Sequence, residues 1–486
     1  MVDLRIQRFA VYALAGCSAA VFFKLFHSFT LDESGMLALL DQPFGAMFES
    51  YTKTYPMISL YEVFMWGWLR ATGMNELLLR LPSFVFSGLI LFETWKISRH
   101  LRFTGFISLL ACLILVSLPE FQRFATQARP YAALIYFQTR ALGSFINYTA
   151  HGDRKAFLSF AIHSALACSV KVFAAEVMII YVPFLLWQFR EKRPRWIFHA
   201  MAPLMLPALV LVIQLPLVMH FSGQSALHSR AFFDDPYFMA QIVFWRTFQQ
   251  EVLLLVLLLV AAHWVLNRQA IKNSTSQGAF PGGPSFWWLC AGLVSLPMLL
   301  HAIVLARTGA SILNIRYLTA GLVPASLMTA AVFQMALSRF SLQVLAVAGI
   351  SILGLLNATD PAEDEGWKRA AQVVKNMAGE RSGVVFYAAG FNENHHVAML
   401  RDRLVRGPAL VYGLNDAAIP VSHNLNPETK AYVEEWIIKS NLERETRPIL
   451  MVGLAPFSLM PQFLAERLDK NMTFIVLNNV VLYSLY

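Results

Sequence analysis

Long apolar segments recur along the first three quarters of the chain and are separated by short polar loops. About eleven of these segments approach the ~20 residues that an α-helix needs to cross a bilayer. They lie at about 9–29, 81–98, 104–121, 131–149, 156–170, 172–189, 197–219, 241–266, 286–305, 317–336 and 341–357. This pattern predicts a polytopic α-helical membrane protein.

The basic residues orient these predicted spans, because short cytoplasmic loops are enriched in Lys and Arg. Basic clusters follow the second and sixth spans, at 96–102 and 190–195. The aromatic segment 56–72 would reverse this pattern if it crossed the bilayer, and it contains Glu62. We therefore predict that 56–72 is an external juxtamembrane helix, with the N-terminus in the cytoplasm and the tail outside.

The last part of the chain is more polar and changes its pattern. Short apolar runs at 384–387 and 448–452 predict strands. Helical periodicity is found at about 393–403, 427–440 and 458–468. Alternating helices and strands predict a small α/β domain. We therefore divide the chain into a transmembrane domain, 1–357, and an external C-terminal domain, 358–486.

Composition agrees with a membrane protein and excludes one alternative. The chain has 486 residues, of which 57% are hydrophobic and 14% are charged, against roughly 25% charged in an average soluble protein. Lys and Arg (39) outnumber Asp and Glu (30), which could indicate nucleic-acid binding. Most of this excess lies in short loops, as membrane topology requires, so we expect no nucleic-acid partner. All four cysteines fall in apolar segments without disulfide or metal spacing.

An acidic pair, Asp32-Glu33, directly follows the first span. Charge at this position is costly unless it is solvated or functional. The predicted outer side also carries isolated cations, which are unusual there. The main ones are Lys53, Arg129, Lys171, Arg307 and Arg316. Lys and Arg bind phosphate, and a carboxylate can take a proton from a hydroxyl, so these residues suit group transfer from a lipid phosphate.

Several of these charges have simpler explanations. Lys53 could equally be a solvated surface residue. Lys24 is expected to extend to the membrane interface. Glu176 follows Lys171 by about one helical turn and could pair with it. Arg129 is harder to explain structurally, because Pro130 fixes the backbone after it at the start of a span.

The order of these motifs resembles that of the GT-C glycosyltransferases, in particular the bacterial branch related to protein O-mannosyltransferases and to the aminoarabinose transferase of lipid A. Asp32-Glu33 resembles the acidic pair of the family, and Gln127-Ala-Arg-Pro-Tyr131 is the next best match. Gly73, Glu76 and Arg80-Leu-Pro-Ser83 resemble the motif that opens the second span. Tyr55-Pro56 stands where the family has His-Pro-Pro-Leu, but the His and second Pro are absent.

The resemblance implies an inverting sugar transfer from a polyprenyl-phosphate donor, on the outer face of the cytoplasmic (inner) membrane. The acceptor would be a lipid, a glycan or a protein. Asp32 would be the catalytic base, and Glu33 beside it is the second catalytic candidate. The donor phosphate would be bound by Arg129, Lys171, Arg316, Lys53 and Arg307. Candidate substrate contacts are Tyr55, Tyr131, Tyr317 and Glu120.

Some relatives hold a divalent metal with a second acidic motif in the outer loop after the third span. Here 122–130 contains no acid, and only Glu120 is near, so we expect no required metal or other cofactor.

Two other functions remain open. A transporter or flippase of lipid-linked sugars would place charges near the middle of the membrane and contain repeats. A non-catalytic scaffold would leave Asp32, Arg129 and Lys171 unexplained. The unusual charges gather near one membrane face, so we favour an enzyme.

Overall fold

The described part of the chain begins as a helical bundle and ends as a β-sheet with flanking helices. The computed structural model describes residues 2–54, 59–172, 174–189, 201–215, 286–295, 299, 319–336, 340–359, 366–378, 385–389, 411–412, 419–422, 427–439, 449–454, 460–477 and 480–485. The eighth predicted span, 241–266, and the predicted helix 393–403 lie outside these residues.

Each predicted span other than 241–266 overlaps a described helix, and further helices lie between the spans. The first ten are α1 (Val2–Phe23), α2 (Leu31–Leu40), α3 (Phe44–Thr54), α4 (Leu60–Thr72), α5 (Glu76–His100), α6 (Gly105–Ser117), α7 (Pro119–Ala125), α8 (Tyr131–His151), α9 (Arg154–Val170) and α10 (Ala174–Phe189). Next come α11 (Met201–Leu215) and α12 (Phe286–Ser295). The last three before the sheet are α13 (Thr319–Ala336), α14 (Phe340–Ala358) and α15 (Trp367–Ala378).

In the described part, three helices are long and apolar enough to cross a membrane: α1, α5 and α14, or four spans if α6 and α7 count as one bent span. Shorter apolar helices accompany them, namely α10, α11, α12 and α13. This composition agrees with a multi-pass membrane protein. The total of about eleven spans stays a prediction, because the described residues do not cover all of them.

The predicted third span, 104–121, is wrong as a single helix. Helix α6 ends at Ser117, and α7 starts at Pro119 with its axis turned by 75°. A residue before proline is disfavoured in the helical conformation, and Leu118 is extended accordingly (ψ 129°). The predicted outer loop 122–130 therefore begins with most of α7.

The polar and aromatic pattern of residues 30–55, between the first predicted span and the juxtamembrane helix, predicts a first external loop, but this segment contains the helices α2 and α3. Thr30 caps α2, since its hydroxyl accepts the Glu33 N–H while the Glu33 carboxylate accepts the Thr30 N–H. This capping box is a sequence signature of a helix start, so α2 could have been predicted. The predicted juxtamembrane helix is present as α4, and its membrane side stays a prediction.

Two groups of buried side chains hold the bundle together. One joins α1, α5, α6, α13 and α14, and the other joins α2, α4, α8, α9 and α10. Lys24 lies between α1 and α2 and is buried, which contradicts its predicted extension to the interface. Its ammonium donates to the Asn357 carbonyl at 2.7 Å, near the end of α14, where carbonyl groups lack partners within the helix.

The C-terminal sheet has five strands: β1 (Val385–Ala389), β2 (Ile419–Ser422), β3 (Ile449–Leu454), β4 (Met472–Leu477) and β5 (Val480–Leu485). Their order is β2-β1-β3-β5-β4. Strand β1 runs parallel to β2 and β3, while β5 is antiparallel to β3 and β4. Helices α16 (Pro427–Lys439) and α17 (Met460–Arg467) lie between strands in sequence. The predicted segments 384–387, 427–440, 448–452 and 458–468 correspond to β1, α16, β3 and α17.

Candidate active site

The acidic pair lies in the first turn of α2, and its two carboxylates have different surroundings. The Glu33 side chain is fully buried (0% exposed), whereas the Asp32 side chain is 36% exposed. Successive residues point about 100° apart around a helix. One carboxylate therefore faces the interior of the protein while its neighbour reaches the surface of the site.

Glu33 accepts four hydrogen bonds. Oε1 accepts from Arg80 Nε at 2.8 Å and from the Ala128 N–H at 2.7 Å. Oε2 accepts from Arg80 Nη2 at 2.6 Å and from the Thr30 N–H at 2.9 Å. A carboxylate has about four acceptor positions, so these bonds leave little capacity for a substrate. This arrangement favours a structural role for Glu33 over the catalytic role expected from the sequence.

Charge and hydrogen bonding keep Glu33 ionised. Burial disfavours the carboxylate, but the Arg80 charge and the hydrogen bonds outweigh it and lower the pKa of Glu33. A buried carboxylate normally has a raised pKa, and a close cation together with hydrogen bonds to the charged form can reverse this. Glu33 and Arg80 thus form a buried ion pair that fixes α2 against α5.

Arg80 also binds the backbone that leads into α2. Its Nη1 donates to the His27 carbonyl at 2.7 Å, and its Nη2 donates to the Ser28 carbonyl at 2.9 Å. Its guanidinium carbon lies 5.1 Å from the centre of the Phe29 ring. From the sequence, Arg80 was only part of a family motif. An arginine at the start of the apolar segment 81–98 was the signal that could have identified it as a site residue.

Arg129 lies beside Asp32, although 97 residues separate them. Its Nη1 donates to the Asp32 backbone carbonyl at 2.9 Å, and its Nη2 lies 3.8 Å from Asp32 Oδ2. The Tyr131 ring is 5.6 Å from the guanidinium carbon, within the range of a cation–π contact. The structure therefore brings together three residues predicted for the site.

The segment that carries Arg129 is anchored on both sides of it. The Ala128 N–H donates to Glu33, and the Ser83 hydroxyl lies 3.5 Å from the Arg129 carbonyl. Ser83 in turn lies 3.3 Å from the Tyr61 hydroxyl, which links the segment to α4. The Arg129 side chain is 12% exposed. A fixed guanidinium at the surface of a site can bind an anion without first losing rotamer freedom.

Lys171 lies at the turn between α9 and α10. Its Nζ is 3.9 Å from Oε1 of Glu62 on α4, an acidic neighbour that the sequence analysis did not consider. Glu62 is 2% exposed, and its Oε2 accepts no hydrogen bond from the described residues. A buried carboxylate favours a charged neighbour, so Glu62 holds Lys171 against α4.

The other predicted residues are located less completely. Glu120 is buried in the first turn of α7. Lys53 lies on α3, and nothing of its side chain is described. Tyr55, Arg307, Arg316 and Tyr317 lie outside the described residues. Their roles stay predictions.

The described residues contain no group of three or more His, Cys, Asp and Glu side chains that could hold a metal ion. This finding concerns the described ranges alone. The expectation that no metal is required therefore stays a prediction.

Comparison with known proteins gave one family and a common fold. The profile of the dolichyl-phosphate-mannose-protein mannosyltransferases matches residues 56–220. The crystal structure of ArnT from Cupriavidus metallidurans bound to undecaprenyl phosphate is similar over 98% of both chains, with 12% identity and a TM-score of 0.50. Its apo structure covers 98% of this chain and 97% of ArnT, with 14% identity and a TM-score of 0.42. A search of curated proteins gave no match.

The fold defines the class of the protein, a multi-pass helical membrane protein with a fold similar to that of ArnT. Over 56–220, about a third of its length, the chain is also similar to the dolichyl-phosphate-mannose-protein mannosyltransferases. The resemblance inferred from the motifs is thereby confirmed. The acidic pair lies before the matched region, whereas Arg80, Arg129 and Lys171 lie within it.

Proposed function

We propose that this protein transfers a sugar from a polyprenyl-phosphate donor to an acceptor hydroxyl on the outer face of the inner membrane. The N-terminus lies in the cytoplasm and the C-terminal domain outside. The observation that carries the proposal is the pairing of Asp32 with Arg129 at the start of α2, next to the first membrane helix. ArnT, which is similar in fold over 98% of both chains, has undecaprenyl phosphate bound in its crystal structure, and this supports a donor of the same chemical type.

The residues divide the reaction between them. Asp32 takes the proton of the acceptor hydroxyl as its oxygen attacks the anomeric carbon. The bond between that carbon and the phosphate oxygen breaks on the opposite face, and the electron pair leaves with the lipid phosphate. This geometry inverts the anomeric configuration.

The cations stabilise the leaving group. Arg129 and Lys171 bind the phosphate, whose negative charge grows as the bond breaks. Arg129 also donates to the Asp32 carbonyl, so the same side chain aligns the base with the phosphate. Glu33 and Arg80 do not react, but they fix the start of α2 on which Asp32 is carried.

The test is a comparison of wild type with Asp32→Asn in purified, detergent-solubilised protein. Both proteins receive a panel of polyprenyl-phosphate sugars and a membrane-lipid extract as a source of acceptors. Donor binding and release of lipid phosphate are followed separately. We expect both proteins to bind donor, and we expect turnover to fall by at least ~100-fold in the variant, because a general base contributes about that much or more.

Asp41→Asn is the matched control. Asp41 directly follows the same helix, and its Oδ1 lies 3.1 Å from Arg70 Nη1 in an exposed ion pair. Turnover should be unchanged in this variant. Full turnover in Asp32→Asn would remove Asp32 as the base. Transbilayer movement of labelled donor in proteoliposomes, without phosphate release, would instead favour a flippase.

A further inference from the structure

The four residues before α2, 27–30, are bound by the C-terminal part of the chain as well as by Arg80. We name them the Asp32 lead segment. On one side Arg80 binds the carbonyl groups of His27 and Ser28. On the other side the Gly366 N–H donates to the Ser28 hydroxyl at 3.2 Å. The lead segment is thus held from two directions.

Tyr412 makes the second contact from the C-terminal part. The Phe29 N–H donates to the Tyr412 hydroxyl oxygen at 2.5 Å, across 383 residues of sequence. The Phe29 and Tyr412 ring centres are 6.2 Å apart. Phe29 is 1% exposed, so its N–H has little access to water and relies on the Tyr412 hydroxyl as its acceptor. Burial raises the pKa of Tyr412 further above its ordinary value, so the hydroxyl is neutral at neutral pH.

The same part of the chain also touches α5 one turn before Arg80. Lys368 Nζ lies 3.0 Å from Oε1 of Glu76, and Glu76 precedes Arg80 by four residues, on the same helix face. Trp367, next to Lys368, is 1% exposed. The C-terminal part therefore contacts two of the elements that hold Glu33, the lead segment and the start of α5.

The lead segment determines where Asp32 lies. Thr30 is the N-cap of α2, and Asp32 is the second residue of that helix. A shift of the cap moves Asp32 relative to Arg129 and to any bound donor. Misplacing a reacting group by about 1 Å can lower a rate by about 100-fold.

We infer that Tyr412 is a positioning residue: it fixes the Asp32 lead segment and so holds the base in its reactive place. The inference rests on the proposed function. Tyr412 touches neither Asp32 nor the phosphate-binding residues in the described contacts, so it acts through the Phe29 backbone. The C-terminal domain thereby becomes part of the catalytic apparatus, in addition to any role in acceptor recognition.

The test compares Tyr412→Phe with wild type by two measurements. Hydrogen–deuterium exchange reports on the amides of 27–33, because exchange follows local opening. Steady-state kinetics give kcat and the KM for donor. We expect faster exchange in 27–33, a roughly tenfold lower kcat from the loss of one buried hydrogen bond, and an unchanged KM for donor, since the phosphate-binding residues are untouched.

Two further variants make the comparison specific. Tyr483→Phe is the matched control, because Tyr483 is another tyrosine of the C-terminal domain: it is buried in β5, and its ring packs on Phe474. It should leave exchange in 27–33 and kcat unchanged. Ser28→Ala removes the hydroxyl that accepts the Gly366 N–H, and it should act in the same direction as Tyr412→Phe. It provides an independent test if Tyr412→Phe does not fold.

The outcomes separate this inference from the proposed function. Unchanged exchange in folded Tyr412→Phe would overturn the inference; if that variant does not fold, unchanged exchange in Ser28→Ala would overturn it. Faster exchange with wild-type kcat would also overturn it, because the contact would then be structural only. If wild type turns over no donor in the panel, the proposed function fails, while the exchange measurement still decides whether the C-terminal part holds the lead segment.

Discussion

Two ion pairs of helix α5, one near each end of the helix, are built very differently. At one end Arg80 pairs with Glu33, and the two side chains are 3% and 0% exposed. About 20 Å further along the helix, Glu93 pairs with Arg140 at 2.9 Å, with 10% and 35% exposed. Lys96 also lies 3.2 Å from Glu93. The two pairs share their chemistry but differ in burial and in the number of backbone contacts.

The difference shows which pair organises the site. Arg80 binds backbone carbonyl groups before α2 in addition to Glu33, so removing it would leave many polar groups unsatisfied. Arg140 and Lys96 share a carboxylate that is largely covered, while the two cationic side chains are 35% and 43% exposed. Partly exposed pairs contribute little to stability. Of these two pairs, the Arg80–Glu33 pair is the one that fixes the position of a predicted catalytic residue.

The largest effect should come from Arg80→Ala. We expect it to lower the free energy of unfolding by about 3–5 kcal/mol, because it leaves a buried charge without its partner. Arg140→Ala is the matched control, because it removes the cation of the Glu93–Arg140 pair, and we expect a loss of about 0–1 kcal/mol in the free energy of unfolding. Thermal unfolding in detergent measures both. Equal losses in the two variants would mean that burial does not distinguish the pairs.

Acid should weaken the Arg80–Glu33 pair, because the carboxylate is protonated at low pH. The pKa of Glu33 in the folded protein is lowered below its ordinary value of 4.5. A lowered pKa stabilises the folded state above the unfolded pKa, and this stabilisation is lost as pH falls through the folded pKa. The difference in stability between wild type and Glu33→Gln should therefore be constant near neutral pH and shrink below about pH 4.5.

Unfolding in detergent at a series of pH values measures this difference. Glu93→Gln serves as the comparison, because its carboxylate lies in the partly exposed pair. A gap for Glu33→Gln that grows as the pH falls would contradict the assignment of Glu33 as a buried carboxylate that stays ionised.

The sequence predicted much of the framework of the site but not its connections. Arg129 was found because an isolated cation before Pro130 on the predicted outer face is unusual. The contacts of Arg80 are mainly with carbonyl groups before α2, and backbone groups leave no trace in the sequence. The contact between Phe29 and Tyr412 spans 383 residues, and no periodicity or motif reports on such a distance.

Two further features were predictable in principle. Pro119 marks the break between α6 and α7, since proline disfavours helical backbone in the residue before it. Thr30 and Glu33 have the spacing of a capping box, which marks the start of α2. The continuous apolar pattern of 104–121 concealed the break at Pro119. The polar pattern of 30–55 concealed the helix start at Thr30. The helices that overlap the predicted spans were predictable, because the thickness of the membrane sets the length of an apolar span.

Arg129→Ala should sharpen the comparison by adding a third arginine, one that faces the site rather than holding it together. Its side chain is 12% exposed, between Arg80 at 3% and Arg140 at 35%. We expect donor binding to weaken by roughly tenfold, because one charge-assisted contact to the phosphate is lost. Stability should change by about 1 kcal/mol or less, since Glu33 and Arg80 remain paired.

Donor titrations of wild type, Arg129→Ala and Arg129→Lys measure the effect. The lysine variant keeps the charge but loses the planar, two-pronged geometry of the guanidinium, so it should recover only part of the affinity. Arg140→Ala again serves as the control and should bind donor like wild type. Wild-type affinity in Arg129→Ala would return Arg129 to a structural role, and the site would then rely on Lys171 and on cations outside the described residues for the phosphate.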